Sequence, residues 1–235
     1  MTVNDTTAQA GAPASAAAQV QPTLPFILAS ASPARLRTLR AAGIETEAIV
    51  SGVDESQVDD PRPAALCATL ARLKADAVVE RLAAGADSGS GSGGATRLVL
   101  GCDSVLAFDG EILGKPADAA EAVRRWRSMR GRHGILYTGH CLIETGTGRR
   151  CEEVGSTTVH FADVTDAEID AYVSTGEPLH VAGAFTIDGL GGAFVERIEG
   201  DPGTVIGVSL PLLRRLLNSL DVPIWTVWGT SPHSP

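Results

Sequence analysis

The sequence predicts a mixed-sheet α/β (α+β) protein, and two patterns carry that prediction. Apolar strand-like runs alternate with capped helical segments in the first half of the chain, as in parallel strands joined by crossovers. Later, Ile135–Glu144 and Arg150–Phe161 flank a Thr-Gly-Thr-Gly turn and read as a long antiparallel hairpin. With 235 residues, 44% hydrophobic and 20% charged, the chain can bury a substantial core as one large domain or two small ones.

In chain order, residues 1–23 are low-complexity and are expected to be a disordered tail ahead of a domain spanning 24–222. Phe26–Ser30 is a short apolar strand. Ser32-Pro33 opens a helix, with Ser as N-cap and Pro at the first helical position, and Gly43 closes it. Glu47–Val50 reads as a second strand. From Pro63 a long helix carries Leu66, Leu70, Leu73 and Ala77 on one stripe. Residues 84–96 form a Gly/Ser-rich loop. The run "LVLGCDSVLAFDGEILGKP" then gives a buried strand with Asp103 at its end, an Asp109-Gly110 turn, and Lys115 between glycine and proline. Asp118 with Glu121 caps a helix that stops at Gly131, and Thr165 with Glu168 caps one that ends at Gly176. "GAFTIDGLGGAFVERIEG" reads as two short strands around glycines. Ser209-Leu-Pro211 starts a last helix, Leu212–Leu220, and 223–235 is a C-terminal tail.

A net charge of −9 excludes a global basic field for nucleic acid or an anionic membrane, so an anion has to be held by a few placed cations. The four cysteines are scattered without a CxxC pair and fit a reducing, cytoplasmic setting. No apolar run reaches membrane-spanning length.

The candidate chemistry lies at strand ends. Acids are favoured at a helix N-terminus, yet the first turns after Ser32 hold Arg35, Arg37 and Arg40 and no acid. Ser30, Ser32 and Arg35 would form an anion site there; alternatively Ser32 is a plain cap and the arginines reach solvent. Glu55 and Asp103, each after a strand, are two carboxylates that can share a hard divalent cation completed by water and phosphate. Asp103 directly after "LVLGC" is costly to bury unless paired or ligated. "GEILGK" is one residue short of a P-loop and has proline where Ser/Thr is needed; Asp103-Ser104-Val105 lacks the second aspartate of DxD phosphatases. Lys74 sits beside the apolar stripe of the long helix, where most lysines are merely solvated. Local cations and two strand-end acids point to metal-assisted chemistry on a phosphate ester or anhydride.

Taken in order, "LASASPAR", "VDE", "GCDSV", "GEILGKP", "YTGH", "AYVSTGEPLHVAGAF", "IDGLGG" and "IEGDPGTVIGVSLP" resemble the Maf family of nucleoside triphosphate pyrophosphatases over about Leu24 to Leu217. The resemblance implies a two-lobed α/β fold with a cleft, similar to the inosine-triphosphate pyrophosphatases. It implies hydrolysis of a nucleoside triphosphate to monophosphate and pyrophosphate with a divalent metal (Mg, Mn or Co), with links to septum formation, and a homodimer. By resemblance Asp103 matches the general base, Glu55 a second acid, Lys115 the lysine of a Lys-Pro motif, and Lys74 a helical lysine. Ser30, Ser32 and Arg35 match a phosphate-binding loop, and Ser104 also faces substrate. Ala34, Ser104 and Asp188 stand where family branches carry the residues that select the base, and here they match neither the pyrimidine-specific branch nor the 7-methylguanosine-specific one. Asp188 either reads the base or caps the Gly189–Gly192 turn. A nucleotide-binding regulator of division acting through a partner is the second functional reading; the intact Glu55, Asp103 and Lys115 set favours the enzyme.

Overall fold

A computed structural model describes residues 24–86 and 96–229; the expected N-terminal tail and most of the Gly/Ser loop lie outside the described residues. The elements run β1 (Phe26–Leu28), α1 (Pro33–Ala41), β2 (Thr46–Ala48), α2 (Pro63–Ala86), β3 (Leu98–Phe108), β4 (Glu111–Leu113), α3 (Ala119–Met129), β5 (His133–Glu144), β6 (Arg150–Phe161), α4 (Asp166–Ser174), β7 (Val195–Glu199), α5 (Pro202–Ile206) and α6 (Leu210–Ser219), with short 3-10 turns between. They build one seven-stranded sheet in the order β2-β1-β3-β5-β6-β7, with β4 also on β3. β1 is parallel to β2 and β3, and the remaining pairs are antiparallel. The mixed sheet expected from the sequence is present.

Local chemistry explains the helix starts. Ser32, Asp118, Thr165 and Ser209 each accept a backbone N–H from the first turn, and Thr165 with Glu168 forms the reciprocal box. Two differences from expectation appear. The glycine-rich stretch before Val195 forms 3-10 turns rather than a first strand, because Glu177 draws in the N–H groups of Leu190 and Gly191 that a strand ladder would use. The ordered chain also continues past the expected boundary at 222: Val227 is buried and Gly229 N donates to Gly43 O.

The long strands β3, β5 and β6 run through two packed regions. At one end α1 and α6 cover one face, with Leu39, Leu213 and Leu217 among its core residues, while α2 covers the other. At the far end Trp126 is fully buried and meets Phe161, Tyr172 and Phe194 edge-on, closing a second core under α3 and α4.

Helix α2 does not bury the expected leucine stripe. Its inward face is Cys67, Leu70, Ala71, Lys74, Ala75 and Val78, while Leu66, Leu73 and Ala77 are only half-buried. Two strand glycines cause this rotation. A Cβ at Gly101 would lie 2.1 Å from Ala71 O, and one at Gly139 would lie 2.3 Å from Cys67 O. The helix backbone therefore rests directly on the sheet where side chains are smallest, as strand glycines allow. Gly101→Ala should accordingly lift α2 away, with a stability loss of about 1–3 kcal/mol and a drop in activity larger than unfolding explains. Chemical denaturation with parallel activity assays checks this; an unperturbed variant would mean that the contact is not tight.

Candidate active site

β5 covers one edge of β3 from Leu98 to Ala107. The opposite edge is shared, β1 pairing with Leu98–Leu100 and β4 with Leu106–Phe108. Gly101 to Val105 is left open between them, at the carboxyl end of β1, where α/β sheets bind ligands. Strand alternation turns Asp103 towards α2 and Ser104 towards α1. Asp103 thus lies in the middle of β3, not at its end, and becomes reachable because its neighbour strands stop short.

On the α2 face, Lys74 Nζ lies 2.5 Å from Asp103 Oδ1 and 2.7 Å from Glu55 Oε1. Glu55 opens the 3-10 turn after β2 that Asp54 caps. Lys74 and Asp103 are 7% and 6% exposed, whereas Glu55 is largely exposed. Burial raises the Asp103 carboxyl above its ordinary value, against the pull of Lys74 and Arg35. The result is a carboxylate more basic than usual, with an ammonium beside it that favours its ionised form. The spacing of Lys74 in the helix carries no sign of this pair; the structure makes it because the small residues of α2 bring Lys74 onto the sheet.

On the other face Arg35 is 9% exposed rather than reaching solvent. Its Nε donates to Gly207 O at 2.8 Å, Nη1 to Cys102 O at 2.8 Å and Ser30 Oγ at 3.1 Å, and Nη2 to Ser104 Oγ at 2.9 Å. These bonds use four of the guanidinium's five N–H donors. Every one of those acceptors is neutral, and no acid of the described residues lies within ion-pair distance of Arg35. Ser32 does cap α1, accepting Arg35 N at 3.4 Å, while Ser30 Oγ accepts Ser32 N at 3.2 Å. Ser32 is thus a helix cap, and of the arginines Arg37 reaches solvent while Arg35 does not.

Lys115 follows β4 at the far side of the open stretch, exposed and with no hydrogen bond or ion pair among the described residues. Gly114 beside it is anchored, its carbonyl accepting from Gly183 N and Arg125. Ala34 is half-buried in the first turn of α1 and presents only a methyl group. Asp188 pairs with Arg37 at 3.2 Å, and the turn after it is held by Glu177, which also accepts from Tyr172 and Thr186. Turn capping thus belongs to Glu177.

Several contributors escaped the sequence reading: Glu177, Gly207, and the buried polar set Thr138, His140, Thr204 and Ser209. Thr138 and His140 sit opposite Ser104 and Cys102 in the β3–β5 register. The available signal was a run of polar residues inside an otherwise apolar strand, "YTGH". All four cysteines are free, and burial pushes the thiols of Cys67, Cys102 and Cys141 up to about 12, which leaves them poor nucleophiles. Among the described residues no helix is long and apolar enough to cross a membrane, and no group of three or more His, Cys, Asp or Glu side chains gathers to hold a metal.

The family described as Maf-like protein matches residues 25–220. A protein of Salinispora tropica named nucleoside triphosphate pyrophosphatase is 63% identical over 212 residues, covering 89% of this chain and 91% of its own. Proteins of the same name from Streptomyces avermitilis and Streptomyces coelicolor are each 53% identical, covering 88% and 89% of this chain and 96% and 97% of their own. With the family match spanning nearly all of the described core, and the mixed sheet open at Asp103, the chain belongs to the Maf-like protein family.

Proposed function

We propose that the protein hydrolyses a nucleoside triphosphate to the monophosphate and pyrophosphate. The observation that carries this reading is Arg35, a buried cation without an acid partner, at an open strand edge next to a buried, raised carboxylate. The hydrogen bonds of Arg35 go to neutral groups and Asp103 acts on it only at a distance, so the buried charge is partly compensated, and a phosphate chain would complete the compensation. The shared name of the relatives supports the same reaction class.

In this reading Asp103 accepts the proton of the water that attacks the α-phosphorus, and Lys74 keeps Asp103 ionised until it does. Arg35, Ser30 and Ser32 hold phosphate oxygens on one side of the open edge. Lys115, free at the rim, neutralises charge on the departing pyrophosphate. A buried general base has no use in a pure nucleotide sensor, so the enzyme reading is preferred over the regulatory one. The link to cell division, a cytoplasmic location and a homodimeric state rest on the family relationship.

Glu55 and Asp103 already converge on one cation, the Lys74 ammonium, and offer the oxygen donors that a hard divalent ion takes. Two carboxylates do not complete a coordination shell, so they fit an ion held jointly with the phosphates. Such an ion would polarise phosphoryl oxygens and offset developing charge. Activity should therefore require added Mg, Mn or Co and stop with chelator. Glu55→Gln should raise the metal concentration needed for half-maximal rate; an unchanged requirement would make Glu55 a surface acid.

Base choice is assigned to Asp188, with Ala34 and Ser104 shaping the pocket. The Arg37–Asp188 pair is exposed and hence weak, and a base can displace it. An ionised aspartate only accepts hydrogen bonds, which favours bases presenting N–H donors, such as guanine or cytosine. Asp188→Asn should move the ranking towards carbonyl-bearing bases while turnover of the best substrate survives; a fixed ranking would place base reading elsewhere. The reaction itself is tested by pyrophosphate release from a panel of normal and modified nucleoside triphosphates, and release from none of them would refute it.

A further inference from the structure

The polar residues behind Arg35 form a closed circuit. Arg35 Nε donates to Gly207 O, and two residues on, Ser209 N donates to His140 Nε2 at 2.9 Å. Because a backbone N–H can only donate, Nε2 is the acceptor and Nδ1 carries the ring proton, which goes to Thr138 O at 3.1 Å. Thr138 Oγ1 gives its own proton to Thr204 O at 2.7 Å, so Ser104 Oγ donates to Thr138 Oγ1 at 2.8 Å and accepts from Arg35 Nη2. The path returns to the guanidinium where it began.

His140 is 1% exposed and has both ring nitrogens bonded. Burial and the nearby Arg35 charge push its imidazole down to about 4, so it stays neutral and Nε2 remains an acceptor. The segment it holds has little tolerance. Gly207 has φ +111°, and a Cβ there would lie 2.7 Å from Arg35 Nε. Of the contacts that fix the guanidinium, the one from Gly207 comes from a loop rather than a strand or a local turn; Thr138 holds the segment to β5 before Gly207, through Thr204 O, and His140 holds it after, through Ser209 N.

We infer that His140 is a positioning residue for Arg35: by accepting Ser209 N–H it keeps the Gly207 carbonyl against Arg35 Nε, and so aims the guanidinium at the open edge of β3. This rests on the reading of Arg35 as the partner of the substrate's phosphates. His140 touches no reacting atom and acts through the loop.

Two variants separate its ring nitrogens. His140→Gln places an amide oxygen near the Nε2 position and keeps the acceptor for Ser209; His140→Asn is too short and keeps only the Thr138 side. With fold checked by circular dichroism, His140→Asn should lower kcat/KM about 10- to 100-fold, the scale of a misplaced binding group. His140→Gln should stay within about threefold of wild type, since it preserves the hydrogen bond. In an Arg35→Ala background, His140→Asn should cost less than about threefold more, because coupled residues are not additive.

An undiminished His140→Asn loss in the Arg35→Ala background overturns the inference while leaving Arg35 in its role. Unchanged kcat/KM in Arg35→Ala itself overturns the reading of Arg35 and the inference with it. If the Asn or Ala variant does not fold, His140→Gln decides alone: a folded protein with a tenfold or greater loss refutes positioning through Ser209, and near-wild-type kcat/KM upholds it.

Discussion

Asp103→Asn lowers turnover by about 10²- to 10⁴-fold while the protein remains folded, the usual loss when a positioned base is removed. The side chain is nearly isosteric and its amide oxygen still accepts from Lys74, so packing at the centre of β3 is kept. What disappears is a carboxylate whose basicity burial has raised. Substrate affinity should change far less than turnover, because Arg35, Ser30 and Lys115 are untouched. Steady-state kinetics with a thermal melt checks this, and wild-type turnover in a folded variant would remove Asp103 from the base role.

Lys74→Met has the largest expected effect on stability. It leaves Asp103, 6% exposed, without its ammonium, and breaking a buried pair in this way costs about 3–5 kcal/mol. Glu55 loses the same partner, but it is largely exposed and contributes little. The pH dependence has a definite sign. Burial holds Asp103 above its ordinary 3.8, and removing Lys74 raises it further. A raised carboxyl is tolerated while protonated and becomes a burden as pH rises through its folded value. The gap between variant and wild type should therefore be small in acid and widen towards neutral pH. Adding Asp103→Asn should recover most of the loss. Urea denaturation across pH tests this, and a loss below about 1 kcal/mol at neutral pH, the level of a surface pair, would contradict a buried one.

The architecture was legible because its signals are local. Ser32, Asp118, Thr165 and Ser209 announce helix starts through their own caps, and the Thr-Gly-Thr-Gly turn fixes the hairpin. The site was legible in composition more than in pairing. Asp103, Glu55, Lys74 and Arg35 all stand out in the sequence, but nothing there pairs Lys74 with Asp103. That pairing depends on which face α2 buries, and Gly101 and Gly139 on distant strands decide it, not the leucine spacing of the helix. Arg35 looked equally at home in solvent because its acceptors come from Ser30, Cys102, Ser104 and Gly207, spread over most of the chain. For His140 the polar run "YTGH" marks a position but not a partner, since both of its bonds are to backbone groups.

The central claim is that water activated at Asp103 attacks the α-phosphorus of a nucleoside triphosphate. Hydrolysis in ¹⁸O-enriched water, with products resolved by mass spectrometry, tests it most directly. The account predicts label in the nucleoside monophosphate and none in pyrophosphate. Label in pyrophosphate, which requires attack at the β-phosphorus, would contradict it.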